Sequence, residues 1–141
     1  MENKGIELDI KVPNQTKYLS LIGRIGEDIA REIDRFTGDR ETLAYQINLV
    51  LTEAMTNAIK YGNPCNEEKS VHIVINIAEN ELFIKIFDYG QGFDINEIPA
   101  PDFTLLEDKG RGIFLIRALM DSVRYIRNKS GNVLEMIKQL D

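Results

Sequence analysis

The sequence predicts an α+β fold, a two-layer α/β sandwich. Three observations lead there. Short runs that alternate apolar and polar residues mark five strands. Four of those strands fall in two adjacent pairs with short connections, the signature of hairpins. The helical segments are grouped, two after the first strand and one before the last pair, giving the order β-α-α-β-β-α-β-β. Grouped helices and hairpin-linked strands argue against an alternating, doubly wound parallel sheet.

The first strand covers 6–12. Ile6, Leu8, Ile10 and Val12 point one way, and Glu7, Asp9 and Lys11 the other. A period of two predicts a strand with one wet face. Pro13 and Asn14 close it. From 17 to 36 the apolar residues Tyr18, Leu21, Ile22, Ile25, Ile29, Ile33 and Phe36 fall at helical spacing. Thr37 and Gly38 end that helix, and Asp39 is suited to cap the next. The second helix is predicted over 40–61, with apolar positions at Leu43, Ile47, Val50, Leu51, Ala54, Ala58 and Ile59. Gly62-Asn63-Pro64 stops it. Alternating runs at 71–77 and 82–87, joined by Glu79-Asn80, form a hairpin. The stretch 89–109 has poor periodicity and holds Pro99 and Pro101. A loop of that length inside one domain tends to be functional. A third helix is predicted over 111–120. Strands follow at 123–127 and 133–138, around a turn rich in Asn, Ser and Gly.

The chain has 141 residues, one domain's length and enough to bury a core without staples. Lys plus Arg number 17 and Asp plus Glu 23, a formal charge of −6. An acidic balance argues against direct nucleic-acid binding. The single cysteine, Cys65, allows no intrachain disulfide. No apolar run reaches the roughly 18 residues that cross a bilayer, and MENKGIELDI carries no apolar signal core. A cytoplasmic protein without a membrane partner is expected.

Three groups of residues could carry chemistry. Glu53 and Asn57 stand four apart on the second helix and share a face. A carboxylate can take a proton, and an amide oxygen can ligate Mg²⁺. An ordinary solvated pair would look the same. Asp88 continues the parity of Leu82, Ile84 and Ile86, which places an acid on the core side of a strand end. That is costly unless a donor meets it. Gly90 and Gly92 follow, as they also would in a plain turn. Gly110-Arg111-Gly112 immediately precede an amphipathic run, so backbone N–H groups at a helix start could meet a phosphate. Neither a phosphate-binding G-x-x-x-x-G-K-[ST] loop nor a dinucleotide G-x-G-x-x-G turn is present. His72 is the only histidine and sits in a strand, on the wetter face. A metal cluster or a Ser-His-Asp triad built on it is disfavoured.

Each group alone is weak, but their order and spacing together are specific. TEAMTNAIKYG, FDYGQGFD and GRGIFLIRALMD resemble the N box and the two glycine boxes of the GHKL, or histidine-kinase-like, ATPase family. Within that family the chain is similar to the anti-sigma-factor serine/threonine kinases, over nearly its whole length. The resemblance implies a Bergerat-type ATP-binding fold over 1–141, with a mixed, mostly antiparallel sheet, helices on one face and an ATP lid at 94–109. It implies ATP and Mg²⁺ as cofactors. Asn57 would ligate the Mg²⁺, and Glu53 would be the catalytic base on the acceptor hydroxyl. Asp88 would accept from the adenine amino group. Gly90 and Gly92 would pass close to the nucleoside. Gly110, Arg111 and Gly112 would meet the phosphates, as would Lys60, one turn beyond Asn57. Arg24, on the first helix, would be presented to a partner. The partners implied are a sigma factor and an anti-anti-sigma STAS-domain protein, with a homodimer as an assembly the resemblance allows. The alternative reading is a nucleotide-gated regulatory binding module without kinase activity.

Overall fold

A computed structural model describes residues 5–34, 36–62, 70–88, 111–127 and 131–141. The strands are β1 (Ile6–Pro13), β2 (Ser70–Ala78), β3 (Glu81–Asp88), β4 (Ser122–Ile126) and β5 (Asn132–Gln139). The helices are α1 (Leu19–Glu32), α2 (Arg40–Asn57) and α3 (Arg111–Leu119). The expected order of elements is observed. The five strands form one sheet in the order β1-β2-β3-β5-β4, and each described pairing is antiparallel.

Register decides which residues share a face, because directly opposite residues point the same way. Ile10 faces Ile73, Ile73 faces Ile86, Ile86 faces Leu134, and Leu134 faces Tyr125. That row and its neighbours form the inner face. Ile73, Ile75, Leu82, Ile84, Ile86 and Met136 are fully buried there. They join Ile22, Leu43, Ile47, Leu51, Met55 and Ile116 from the three helices in one apolar core. The helices therefore cover one side of the sheet, as a two-layer sandwich requires. His72 lies on the opposite face, where it pairs with Asp9 and stacks on Phe87, ring centroids 5.0 Å apart.

Two helices end differently from their apolar spacing. The periodicity of the first runs on through Ile33 and Phe36, yet α1 stops at Glu32 and Ile33 is extended, with ψ 124°. Arg40 explains the stop. Its guanidinium donates to the carbonyl oxygens of Arg31 and Ile33, which meets acceptors left over at a helix end. Ile33 remains buried, so the apolar spacing reports burial rather than helix here. The second predicted helix is α-helical only to Asn57 and then widens into a π-turn, Ala58–Gly62. Its start follows expectation, since the Asp39 carboxylate accepts from the Glu41 N–H. Arg31, hydrogen bonded to Glu41 and attracting its charge, holds that carboxyl below the usual carboxylate range.

Close approach of α1 to α2 depends on Gly26. A Cβ there would lie 2.4 Å from Leu51 Cδ1 and 2.9 Å from Ile47 Cγ2. Both neighbours are buried, and Ile47 is β-branched, so neither can swing aside. Gly26→Ala gains helix propensity, about 1 kcal/mol, but overpacking costs about 1–3 kcal/mol. A net fall in melting temperature is expected in thermal unfolding. An unchanged or higher value would show that the helices are less tightly seated.

Candidate functional site

The second half of α2 supplies the first residues of the site. Glu53 and Asn57 share a face of this helix, with Ala54 and Ala58 beside them. The two alanines line a pocket with Ile86 and Leu134 of the sheet. Asn57 is 8% exposed, and its Nδ2 is buried without a hydrogen-bond partner among the described residues. An unpaired buried amide is costly, and a polar ligand at this place would relieve it.

Helix α3 meets the pair from the other side. A Cβ built on Gly112 would stand 2.6 Å from Glu53 Oε2 and 3.4 Å from Asn57 Nδ2. The first turn of α3 thus runs against both side chains, and only glycine leaves them undisturbed. Glu53, Asn57 and Gly112 come together although α2 and α3 are far apart in sequence.

Asp88 occupies the far end of the same region. It is 2% exposed at the end of β3, on the inner face as its parity predicts. The donors that such a buried acid needs are in place. Tyr125 Oη donates to Asp88 Oδ2 at 2.9 Å, and Asn132 Nδ2 donates to Oδ1 at 2.8 Å. A pocket links Asp88 to Asn57, lined also by Ala54, Ala58, Ile86, Tyr125 and Leu134. Its apolar walls and single carboxylate suit a flat, mostly apolar ring bearing a donor.

The other sequence-predicted residues are placed as follows. Lys60 is exposed in the π-turn after Asn57. Arg111 opens α3. Arg24 is exposed on α1 and is not among the pocket residues. Gly90, Gly92, Gly110, Cys65 and the lid at 94–109 lie outside the described residues. Tyr125 and Asn132 were not singled out by the sequence reading. The available signal was an asparagine on the apolar parity of Leu134 and Met136, which in a sheet interior demands a partner.

A Mg²⁺ ion fits the donor set in part. The Asn57 side-chain amide offers one hard oxygen at the buried end of α2. Among the described residues no group of three or more His, Cys, Asp or Glu side chains could hold a metal.

Comparison with known proteins bears on this arrangement. The family model described as "Histidine kinase-like ATPase domain" matches residues 12–138. The chain belongs to that family. Among curated relatives, the serine-protein kinase RsbW of Bacillus subtilis (strain 168) is 27% identical over 149 residues, covering 100% of this chain and 90% of the relative. RsbW of Oceanobacillus iheyensis is 29% identical over 145 residues, covering 94% and 86%. Among solved structures, the RsbU and RsbW domains of a Mycobacterium tuberculosis protein superpose with a TM-score of 0.68 at 16% identity. That match covers 96% of this chain and 32% of the other. The histidine kinase domain of a blue-light-activated kinase from Erythrobacter litoralis gives 0.55 at 18% identity, covering 92% and 62%. These two matches bear out the expected fold. No helix among the described residues is long and apolar enough to cross a membrane.

Proposed function

We propose that the chain is an ATP-dependent serine/threonine protein kinase that acts as an anti-sigma factor. It binds a sigma factor in one state and phosphorylates an anti-anti-sigma STAS-domain protein in another. It works in the cytoplasm, as one nucleotide-binding domain over 1–141 with its lid at 94–109. The observation that carries the reading is the meeting of Glu53, Asn57 and Gly112 beside a pocket that ends on Asp88. The names of the relatives support the same activity.

Each residue has a distinct task. Asp88 accepts a hydrogen bond from the adenine amino group, while Ile86, Ala54, Ala58 and Leu134 give the ring an apolar seat. Asn57 would hold Mg²⁺ through its amide oxygen. The ion would supply part of the neutralisation of phosphate charge. Lys60, Arg111 and the backbone at Gly110 and Gly112 add positive potential around the phosphates. Gly90 and Gly92 let the chain pass close to the nucleoside. Glu53 takes the proton from the acceptor serine hydroxyl as its oxygen bonds to the γ-phosphorus. The bond from that phosphorus to the bridging β–γ oxygen breaks, and ADP carries the electron pair away. Arg24 stands on an exposed helix face, where a partner protein can reach it.

Incubation with Mg²⁺-ATP and a STAS-domain anti-anti-sigma protein tests the reading, with phosphoserine read by mass spectrometry. Stable, nucleotide-dependent binding without phosphoserine would replace it with the non-kinase binding module. Gly112→Ala sharpens the experiment. Its new methyl would displace the Glu53 carboxylate, whose side chain can yield, so folding should survive. Phosphate transfer should fall by about tenfold or more, as misplacement of a reacting group does. Full activity in that variant would mean that Glu53 does not act from this position.

A further inference from the structure

The two donors on Asp88 do more than satisfy a buried acid. They come from different strands and grip different oxygens. Asn132 faces Asp88 directly across β3 and β5, and it is itself 2% exposed. Tyr125 reaches in from β4, the strand beyond β5, and its ring also lines the pocket. With a donor seated on each oxygen, the plane of the carboxylate is held. A carboxylate held in this way presents itself to the pocket as an acceptor.

We propose that Tyr125 and Asn132 are positioning residues that lock Asp88 as an acceptor and so set selectivity for a 6-aminopurine over a 6-ketopurine. The inference rests on the proposed function, in which Asp88 meets the base. A 6-amino group donates to a fixed acceptor. A 6-keto group, with a protonated N1, brings an acceptor to the position of that amine and leaves it facing the carboxylate. Two polar groups left mismatched in a largely apolar pocket are rejected far more strongly than a change of size would be. If Asp88 loses one of its donors, the carboxyl is free to turn out of the plane that suits the amine. The preference then weakens although Asp88 itself is intact.

The test is calorimetric binding of ADP and of IDP, which differ only at that ring edge and cannot transfer a γ-phosphate. Wild type, Tyr125→Phe and Asn132→Leu are compared, with melting temperatures recorded alongside. The wild type should prefer ADP by about tenfold or more, the value of one good hydrogen bond to a charged group. Tyr125→Phe keeps the ring and loses only the hydroxyl, so it should fold and should lower the ADP-to-IDP ratio several-fold. Asn132→Leu should do the same; if it does not fold, Tyr125→Phe decides alone. A purely structural role would weaken both nucleotides together and leave the ratio unchanged, and that result overturns the inference. So does a wild type that binds both nucleotides equally. A wild type that binds neither nucleotide overturns the proposed function, and this inference with it.

Discussion

Glu53→Gln should lower phosphate transfer to a serine acceptor by about 10²–10⁴-fold while nucleotide affinity stays within about twofold. Glutamine keeps the volume of glutamate, so the close approach of Gly112, where a Cβ would be 2.6 Å from Glu53 Oε2, is retained. What it loses is the capacity to take a proton. The acceptor hydroxyl must lose its proton as the new phosphorus–oxygen bond forms, and an amide cannot receive it. Binding should be spared because Glu53 is not among the residues that line the pocket ending on Asp88. Single-turnover transfer with purified acceptor, beside calorimetry with ADP, separates the two effects. Undiminished transfer would remove Glu53 from the chemistry. A parallel loss of ADP binding would make it part of the nucleotide seat instead.

The difference between what was legible in the sequence and what was not follows from range. Period-two alternation is local, so 6–12 and 82–87 read as strands without any knowledge of their neighbours. The parity of Asp88 with Ile84 and Ile86 is local too, and it identified a buried acid in need of a donor. The identity of the donor is not local. Tyr125 and Asn132 lie 37 and 44 residues further along the chain. They reach Asp88 only because β5 inserts between β3 and β4, an order that no window of sequence encodes. Glu53 and Asn57 were legible as one helix face. Their meeting with Gly112 depends on how α3 packs on α2, which the spacing within either helix does not encode. The end of α1 departs from the apolar spacing for the opposite reason. Ile33 keeps the apolar spacing of a helix because it is buried, while Arg40, seven residues on, takes up the carbonyl that a further turn would have used.

Asp88→Asn is the second substitution with a large expected effect, and it separates stability from binding. The asparagine Oδ1 can take the place of the oxygen that accepts from Asn132. Its Nδ2 then faces Tyr125, whose hydroxyl can rotate and accept instead of donate. The network is rewired rather than broken, so the cost in stability should stay near 1 kcal/mol. The nucleotide fares worse. It loses a charged acceptor for the adenine amine in a pocket walled by Ala54, Ala58, Ile86 and Leu134. Hydrogen bonds to charged groups contribute about 1.5–3 kcal/mol. ADP affinity should therefore fall by about tenfold to a hundredfold, with the melting temperature of the unliganded protein nearly unchanged. Asp88→Ala should behave differently, because the Tyr125 hydroxyl and the Asn132 amide would both lose their acceptor. Its melting temperature should fall by several degrees. If Asp88→Asn binds ADP as the wild type does, the pocket between Asn57 and Asp88 is not where adenine sits.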